Sequence, residues 1–214
     1  MPLLPEHRSK IDDENDLLFY SVPRIVTHVD AGFIETLTQL YRDHLQPQTR
    51  ILDLMSSWVS HLPPELEFEH VEGHGMNAEE LAKNPRLDHY FVQNLNQNPT
   101  LPLPDQSFDG VLNTVSVQYL QYPEAVFSEI HRVLKPGGIA IISFSNRMFF
   151  EKAIQVWRDS SEELRVKLVE HYFSAIAGFT PPESIYKQPE KRSLLSFWNA
   201  SPGDPFYAVI AQRV

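Results

Sequence analysis

The sequence predicts an α/β domain built on a mostly parallel sheet, and three observations carry that prediction. From Asp53 onward, strand-like and helix-like segments alternate, as they do where parallel strands are joined through helices. The segment after Pro123 is a helix punctuated at both ends, with proline in its first turn and Lys135-Pro136-Gly137-Gly138 as its stop. The run that follows, 139–144 (IAIISF), is apolar except for one serine, as a strand buried on both faces requires. A chain of 214 residues holds one such domain with a full-sized core.

The elements follow in order. Segment 30–45 places Phe33, Ile34, Leu37, Leu40 and Tyr41 on one helical face, with Asp30 as its N-cap. Arg50 to Leu54 is a short first strand. After the break at Pro63-Pro64, residues 66–71 (LEFEHV) read as a second, and Asn77 with Glu80 forms a capping box opening a helix over 78–83. Residues 89–93 are a third strand, and the three prolines between Asn94 and Ser107 demand an irregular loop. Residues 108–113 are the fourth strand. A long amphipathic helix is expected over about 151–175, followed by Gly178-Phe179 and a polar, proline-rich stretch. The chain closes on strand 206–211, reached from 194–198 (LLSFW) across the turn Ser201-Pro202-Gly203-Asp204 as an antiparallel hairpin.

Composition narrows the chemistry. With no cysteine, thiol nucleophiles, disulfides and thiolate-bound zinc are excluded, and a cytoplasmic setting is the expectation. Residues 1–16 lack the apolar run of a signal peptide, and no segment reaches the roughly 20 apolar residues of a membrane span, so no membrane partner is expected. A formal charge of −10 and dispersed Lys and Arg argue against nucleic acid and for a small-molecule substrate. His61, His70 and His74 show neither a helical pair nor a carboxylate at ligand spacing, so no metal is expected.

The stretch 105–144 contains Ser107-Phe108-Asp109 opening a strand and Glu129, Arg132, Leu134, Lys135, Pro136, Gly137 and Gly138 closing a helix. In this it is similar to the fourth-to-fifth-strand region of class I S-adenosylmethionine-dependent methyltransferases of the small-molecule type. Ile51 to Leu54, Ala177-Gly178-Phe179 and the final hairpin agree with that order of elements, so the resemblance covers about residues 30–214. It implies a Rossmann-like seven-stranded, mostly parallel sheet with helices on both faces and an antiparallel last strand. It also implies S-adenosylmethionine as cofactor, and an N-terminal arm or lid over residues 1–29.

Ligands of open α/β sheets bind beyond the carboxyl ends of the strands. There the family carries Asp-x-Gly-x-Gly-x-Gly, but this chain reads Asp53-Leu54-Met55-Ser56-Ser57-Trp58-Val59. On one reading, Ser56 and Ser57 offer hydroxyls and N–H groups at a helix N-terminus to the cofactor carboxylate, with Met55 and Trp58 walling the pocket. On the other, Ser57 only caps a helix and Trp58 is core. The acid that usually receives both ribose hydroxyls aligns with Gly75, leaving His74, Met76 and Asn77 nearby, and Asn77 alternatively just caps its helix. Glu72 should point to the other face of its strand. Asn94 and Leu95 stand where the family places the adenine ligands, and Asn113, Thr114 and Val115 would lie under the sulfonium, with Ser116, Gln118 and Tyr119 facing the acceptor.

Within the arm, Arg24 is suited to grip a carboxylate, and Tyr20 and His28 to orient an acceptor or take a proton; the alternative for Arg24 is a surface ion pair. His61 is a further candidate for the pocket wall. The catalytic candidates are therefore His28, Tyr20 and Tyr119. A nicotinamide oxidoreductase would need Gly-x-Gly-x-x-Gly and Tyr-x-x-x-Lys, and both are absent. The remaining rival is a non-catalytic member of the fold, a cofactor-binding sensor or a partner-binding subunit, because loss of the glycines and the acid is what drift of the pocket predicts.

Overall fold

The computed structural model describes residues 3–188 and 203–214. Seven strands form one sheet in the order β3-β2-β1-β4-β5-β7-β6. Strands β1 (Arg50–Asp53), β2 (His70–Gly75), β3 (His89–Val92), β4 (Phe108–Thr114) and β5 (Leu134–Phe144) run parallel, while β7 (Phe206–Gln212) pairs antiparallel with β5 and with β6 (Glu183–Lys187). The expected mostly parallel sheet with a reversed last strand is present. The hairpin partner of β7 is β6, in the stretch read as merely polar and proline-rich; 194–198 and the first half of the expected turn, Ser201-Pro202, lie outside the described residues.

Alternation along the strands builds two apolar layers. Ile51, Val71, Leu112, Ile141 and Ala208 face helix α2 (Ala31–His44), which buries Phe33, Leu37, Leu40 and Tyr41 against them. Leu52, Val111, Ala140, Ile142 and Val209 face the opposite layer, covered by α4 (Pro123–Val133) and α6 (Glu162–Ser174). Asp30 caps α2 by accepting the N–H of Phe33, as its position before the apolar face predicts.

Several boundaries moved, each for a local reason. Strand β2 begins at His70 and runs through Gly73 to Gly75, later in the chain than the expected 66–71. A Cβ on Gly73 would lie 2.4 Å from Leu87, so glycine here provides room within a strand packed on both faces. The long helix expected over 151–175 is two pieces, α5 (Gln155–Arg158) and α6, because the Ser161 hydroxyl accepts the N–H of Leu164 and starts α6 anew. In Lys135-Pro136-Gly137-Gly138 only Gly137 adopts positive φ, at 79°. Gly138 is needed for a different reason: a Cβ there would meet the Lys135 carbonyl at 2.8 Å.

The N-terminal segment lies along the domain. Ile11 and Asp12 donate their N–H groups to the Glu151 carbonyl, and Gln155 N–H donates to Ser9. Lys152, 1% exposed, holds its ammonium 3.0 Å from Asp12 and 3.3 Å from Asp16, whose other oxygen is 2.7 Å from Lys10. A short helix α1 (Asp16–Phe19) follows. Among the described residues no helix is long and apolar enough to cross a membrane.

Candidate functional site

The carboxyl ends of β1, β2, β3 and β4 open onto a cavity of about 390 Å³, in the range of small-molecule sites. Asp53, Gly75, Gln93 and Thr114 mark the four strand ends in its wall, residues 147–149 close it beyond β5, and the N-terminal segment covers it with Tyr20, Arg24 and His28.

The loop after β1 carries no glycine, yet its backbone behaves as though it did. Met55 stands at the first glycine position of the family pattern and has φ 60°, the left-handed region that a side chain disfavours by roughly 1–2 kcal/mol. Tertiary hydrogen bonds hold it there. Met55 N–H donates to His74 Nδ1 at 3.1 Å, and Ser56 N–H to the His74 carbonyl at 2.6 Å. No helix follows this loop, so Ser57 is not an N-cap and offers no helix N-terminus; its hydroxyl donates instead to Glu80 at 2.6 Å. The loop stays irregular because Asn84 Nδ2 bridges the Ser57 carbonyl and the Ser60 hydroxyl, and Pro63-Pro64 follows. Trp58 lines the cavity, with its indole N–H on the Val26 carbonyl.

Asp53 is 4% exposed, with the Ser56 hydroxyl on its carboxylate at 2.6 Å. Burial dominates over the Ser56 and Ser60 hydrogen bonds and pushes its carboxyl up to about 6. His74 is buried as well and, with Nδ1 accepting from Met55, must carry its proton on Nε2, which donates to the Gln93 carbonyl at 3.0 Å. Burial lowers it to about 4. Both ring nitrogens are thus occupied, and His74 does not supply the ribose hydrogen bond considered for it.

Asn77 is likewise occupied. Its side-chain oxygen accepts the N–H groups of Glu79 and Glu80 at the start of α3 (Ala78–Ala82), and its amide donates to the carbonyls of Tyr20 and Ser21. The capping box is only half formed, since the Glu80 carboxylate reaches Ser57 and the N–H of Arg24 (2.6 Å) rather than its own cap. Met76 lines the cavity beside them. As expected, Glu72 points away, to His70 and His89.

Asn94 and Leu95 line the far wall, where the Asn94 side-chain oxygen accepts the N–H of Asn96 at 2.9 Å. Asn113 does not reach the cavity: it is 1% exposed, with its amide donating to the Leu54 carbonyl just beyond β1. Thr114, Val115, Ser116 and Tyr119 do line it, while Gln118 turns back to the Val115 carbonyl and is no part of the wall. Val115 has φ 45°, an outlier for a β-branched residue, where β4 ends against the cavity.

Among the described residues Arg24 is in no surface ion pair. Its guanidinium lies 4.4 Å from the centre of the Phe19 ring and 5.4 Å from that of Phe149, and Nη2 donates to the Phe19 carbonyl. Nη1 is buried without a partner among the described residues, as is the Ser116 hydroxyl. Of the three catalytic candidates, burial raises Tyr20 and Tyr119 above the ordinary phenol value, so both keep their protons, and Tyr119 accepts the N–H of Phe149. Burial lowers His28, which is therefore neutral at pH 7 and able to accept a proton. His61 also lines the wall and is lowered by burial. Among the described residues no group of three His, Asp or Glu is placed to hold a metal ion.

Sequence reasoning missed Asp16, Glu80, Arg147 and Phe149 in the wall. Glu80 was absorbed into the capping box, and Phe149 follows β5 with no local pattern of its own; its ring meets Phe19 and His28 only in the folded chain.

Residues 71–142, from β2 into β5, match the family described as a methyltransferase domain. The chain is similar over this stretch to the class I S-adenosylmethionine-dependent methyltransferases. It is 29% identical over 164 residues to the biotin biosynthesis bifunctional protein BioHC of Teredinibacter turnerae, covering 75% of this chain and 24% of that protein. It is 25% identical over 111 residues to the malonyl-[acyl-carrier protein] O-methyltransferase of a Marinomonas species, covering 51% and 40%. The chain thus spans well under half the length of these curated relatives. Its fold is similar to that of the Haemonchus contortus phosphoethanolamine N-methyltransferase 2 solved in complex with S-adenosyl-L-methionine, with a TM-score of 0.57 at 16% identity over 84% of this chain and 52% of that one. The methyltransferase cofactor, S-adenosylmethionine, fits the site on the chain's own chemistry: a cavity at the strand ends, a glycine-like backbone at Met55, and an unpaired guanidinium nitrogen in the wall.

Proposed function

We propose that this methyltransferase transfers a methyl group from S-adenosylmethionine to a small-molecule acceptor, with residues 1–29 acting as a lid over the domain of residues 30–214. The observation that carries the reading is the buried, unpartnered Arg24 Nη1 in the wall of a cavity at the strand ends. A guanidinium in such a place is suited to a carboxylate, and the cofactor has one. When bound, the cofactor supplies an electrophilic methyl group, and the reaction is an in-line displacement in which positioning accounts for most of the rate.

The chain's residues then divide the work. Arg24 holds the carboxylate, Met55, Ser56, Ser57 and Trp58 form the wall along the methionine part, and Asn94 and Leu95 receive the adenine. Thr114 and Val115 border the reacting centre. The aromatic cover of Tyr20, Tyr119 and Phe149 keeps water out. Neutral His28 at the cavity edge accepts the acceptor's proton where the acceptor carries one. The malonyl group of the acyl-carrier-protein relative is the first acceptor class to assay. The reading includes a cytoplasmic setting and no nucleic-acid partner.

A second reading is favoured by one observation, the replacement of every motif glycine: a member of the fold that binds the cofactor or a partner without turnover. Isothermal titration with S-adenosylmethionine and S-adenosylhomocysteine tests both readings. Binding in the micromolar range supports a methyl-donor site, and binding without turnover of any acceptor favours the sensor. Absence of binding at millimolar ligand defeats the enzyme and the sensor together.

A further inference from the structure

The acid usually found at the end of β2 is absent, and the fold leaves no place for it. A Cβ on Gly75 would lie 2.6 Å from the Ser56 carbonyl oxygen and 3.1 Å from the Leu81 side chain. Three carboxylates remain in the cavity wall: Asp16, Asp53 and Glu80. Asp16 is bound to Lys10 and Lys152, and Asp53 is buried behind Ser56. Glu80 stands on α3, which begins directly after β2, beside Gly75, Met76 and Asn77. One of its oxygens accepts the Ser57 hydroxyl and the other the N–H of Arg24, both at 2.6 Å. A carboxylate has about four lone-pair positions, so each oxygen retains acceptor capacity toward the cavity.

We infer that Glu80 receives the ribose hydroxyls of the cofactor, taking over from helix α3 the role that a strand-end acid has elsewhere in the family. The inference rests on the methyl-donor reading above and adds a consequence for the lid. Because the same carboxylate holds the backbone of Arg24, ribose binding and closure of the arm meet at one side chain. Ser57 fixes the second oxygen, so the carboxylate faces the cavity in one orientation.

The test is isothermal titration of the full chain with S-adenosylhomocysteine and with its 2′-deoxyribose analogue. Wild type should prefer the ribose ligand about tenfold, the worth of one hydrogen bond to a charged acceptor. In Glu80→Gln, checked for an unchanged circular dichroism spectrum and melting point, affinity for S-adenosylhomocysteine should fall about tenfold and the preference should shrink toward unity. Trp58→Phe, which releases the arm at Val26 but keeps the carboxylate, should weaken both ligands alike and preserve the preference. Retention of the wild-type preference in Glu80→Gln overturns the assignment, as does its loss in Trp58→Phe to the same degree. Failure of the wild type to bind either ligand defeats the methyl-donor reading as well, which separates the two failures.

Discussion

The Ser56 carbonyl oxygen occupies the space where a side chain on Gly75 would begin, 2.6 Å from an ideal Cβ. The two departures from the family pattern, serines in the first loop and glycine at the end of β2, are therefore one structural event. The loop after β1 leans onto β2, held by the hydrogen bonds of Met55 and Ser56 to His74, and β2 must yield its side chain.

Restoring the family acid should consequently fail. Gly75→Asp is expected to destabilise the protein by about 2 kcal/mol or more, since the neighbour it meets is backbone. It should weaken S-adenosylhomocysteine binding rather than strengthen it. Urea denaturation and titration of the variant check this, and a gain in affinity at unchanged stability would contradict the coupling.

Asp53 and His74 impose opposite pH dependences. Asp53, raised from 3.8 to about 6, binds its proton more tightly in the folded state, so its contribution is fully present below pH 3.8 and is lost as pH rises through 6. His74, lowered from 6.5 to about 4, contributes above pH 6.5 and loses that contribution as pH falls toward 4. The two slopes offset each other between pH 4 and 6. Asp53→Asn removes the first, so its stability should rise with pH across that window and exceed wild type by about 2–3 kcal/mol above pH 6. Denaturant midpoints at pH 4.5, 6 and 8 decide it; equal midpoints for the two proteins at pH 8 would contradict it.

Lys152 anchors the arm from inside the domain. Lys152→Met leaves Asp12 and Asp16 without that cation and should cost about 3 kcal/mol, the usual scale for removing one partner of a buried pair. Cleavage by protease should then appear first in residues 17–28, where Leu18, Val22 and Val26 are already exposed. Asn77→Ala should open the same segment at a smaller cost of about 1 kcal/mol, from the lost helix cap. Cleavage elsewhere first would contradict the anchoring role.

Of the three catalytic candidates, only His28 is able to take a proton near neutral pH. With an acceptor that loses a proton on methylation, the wild-type rate should fall on the acid side below pH 6.5, as His28 protonates. His28→Asn should lower the plateau roughly 10²-fold and abolish that acid limb. Tyr20→Phe should leave the limb in place, because Tyr20 keeps its proton throughout. Rate–pH profiles of the three proteins separate the roles.

The elements legible in the sequence were those whose signal is local. Asp30 before α2 and Pro123 opening α4 act within a few residues of themselves, and each appears where the pattern placed it. The end of β2 falls beyond the expected residue 71 because Gly73 and Gly75 make room for distant neighbours, Leu87 and Ser56, within the strand. Asn94 reached the candidate site through its position after a strand end, and Arg24, Tyr20 and His28 through their place in the N-terminal arm, and the cavity wall contains them all. Asn113 and Gln118 did not follow, since whether a residue at a strand end faces the cavity or the adjacent strand depends on packing.

The sequence by itself determined the sheet, its helices on both faces and the end of the sheet at which a ligand would sit, because periodicity and turn chemistry are written residue by residue. Only the tertiary structure decided what each polar group in that site is free to do. His74 and Asn77 are fully engaged inside the protein, burial raises the Asp53 carboxyl to about 6, and Glu80 and Arg24 face the cavity with capacity to spare. Hydrogen-bond occupancy and burial are properties of neighbours far apart in the chain, and no local pattern encodes them.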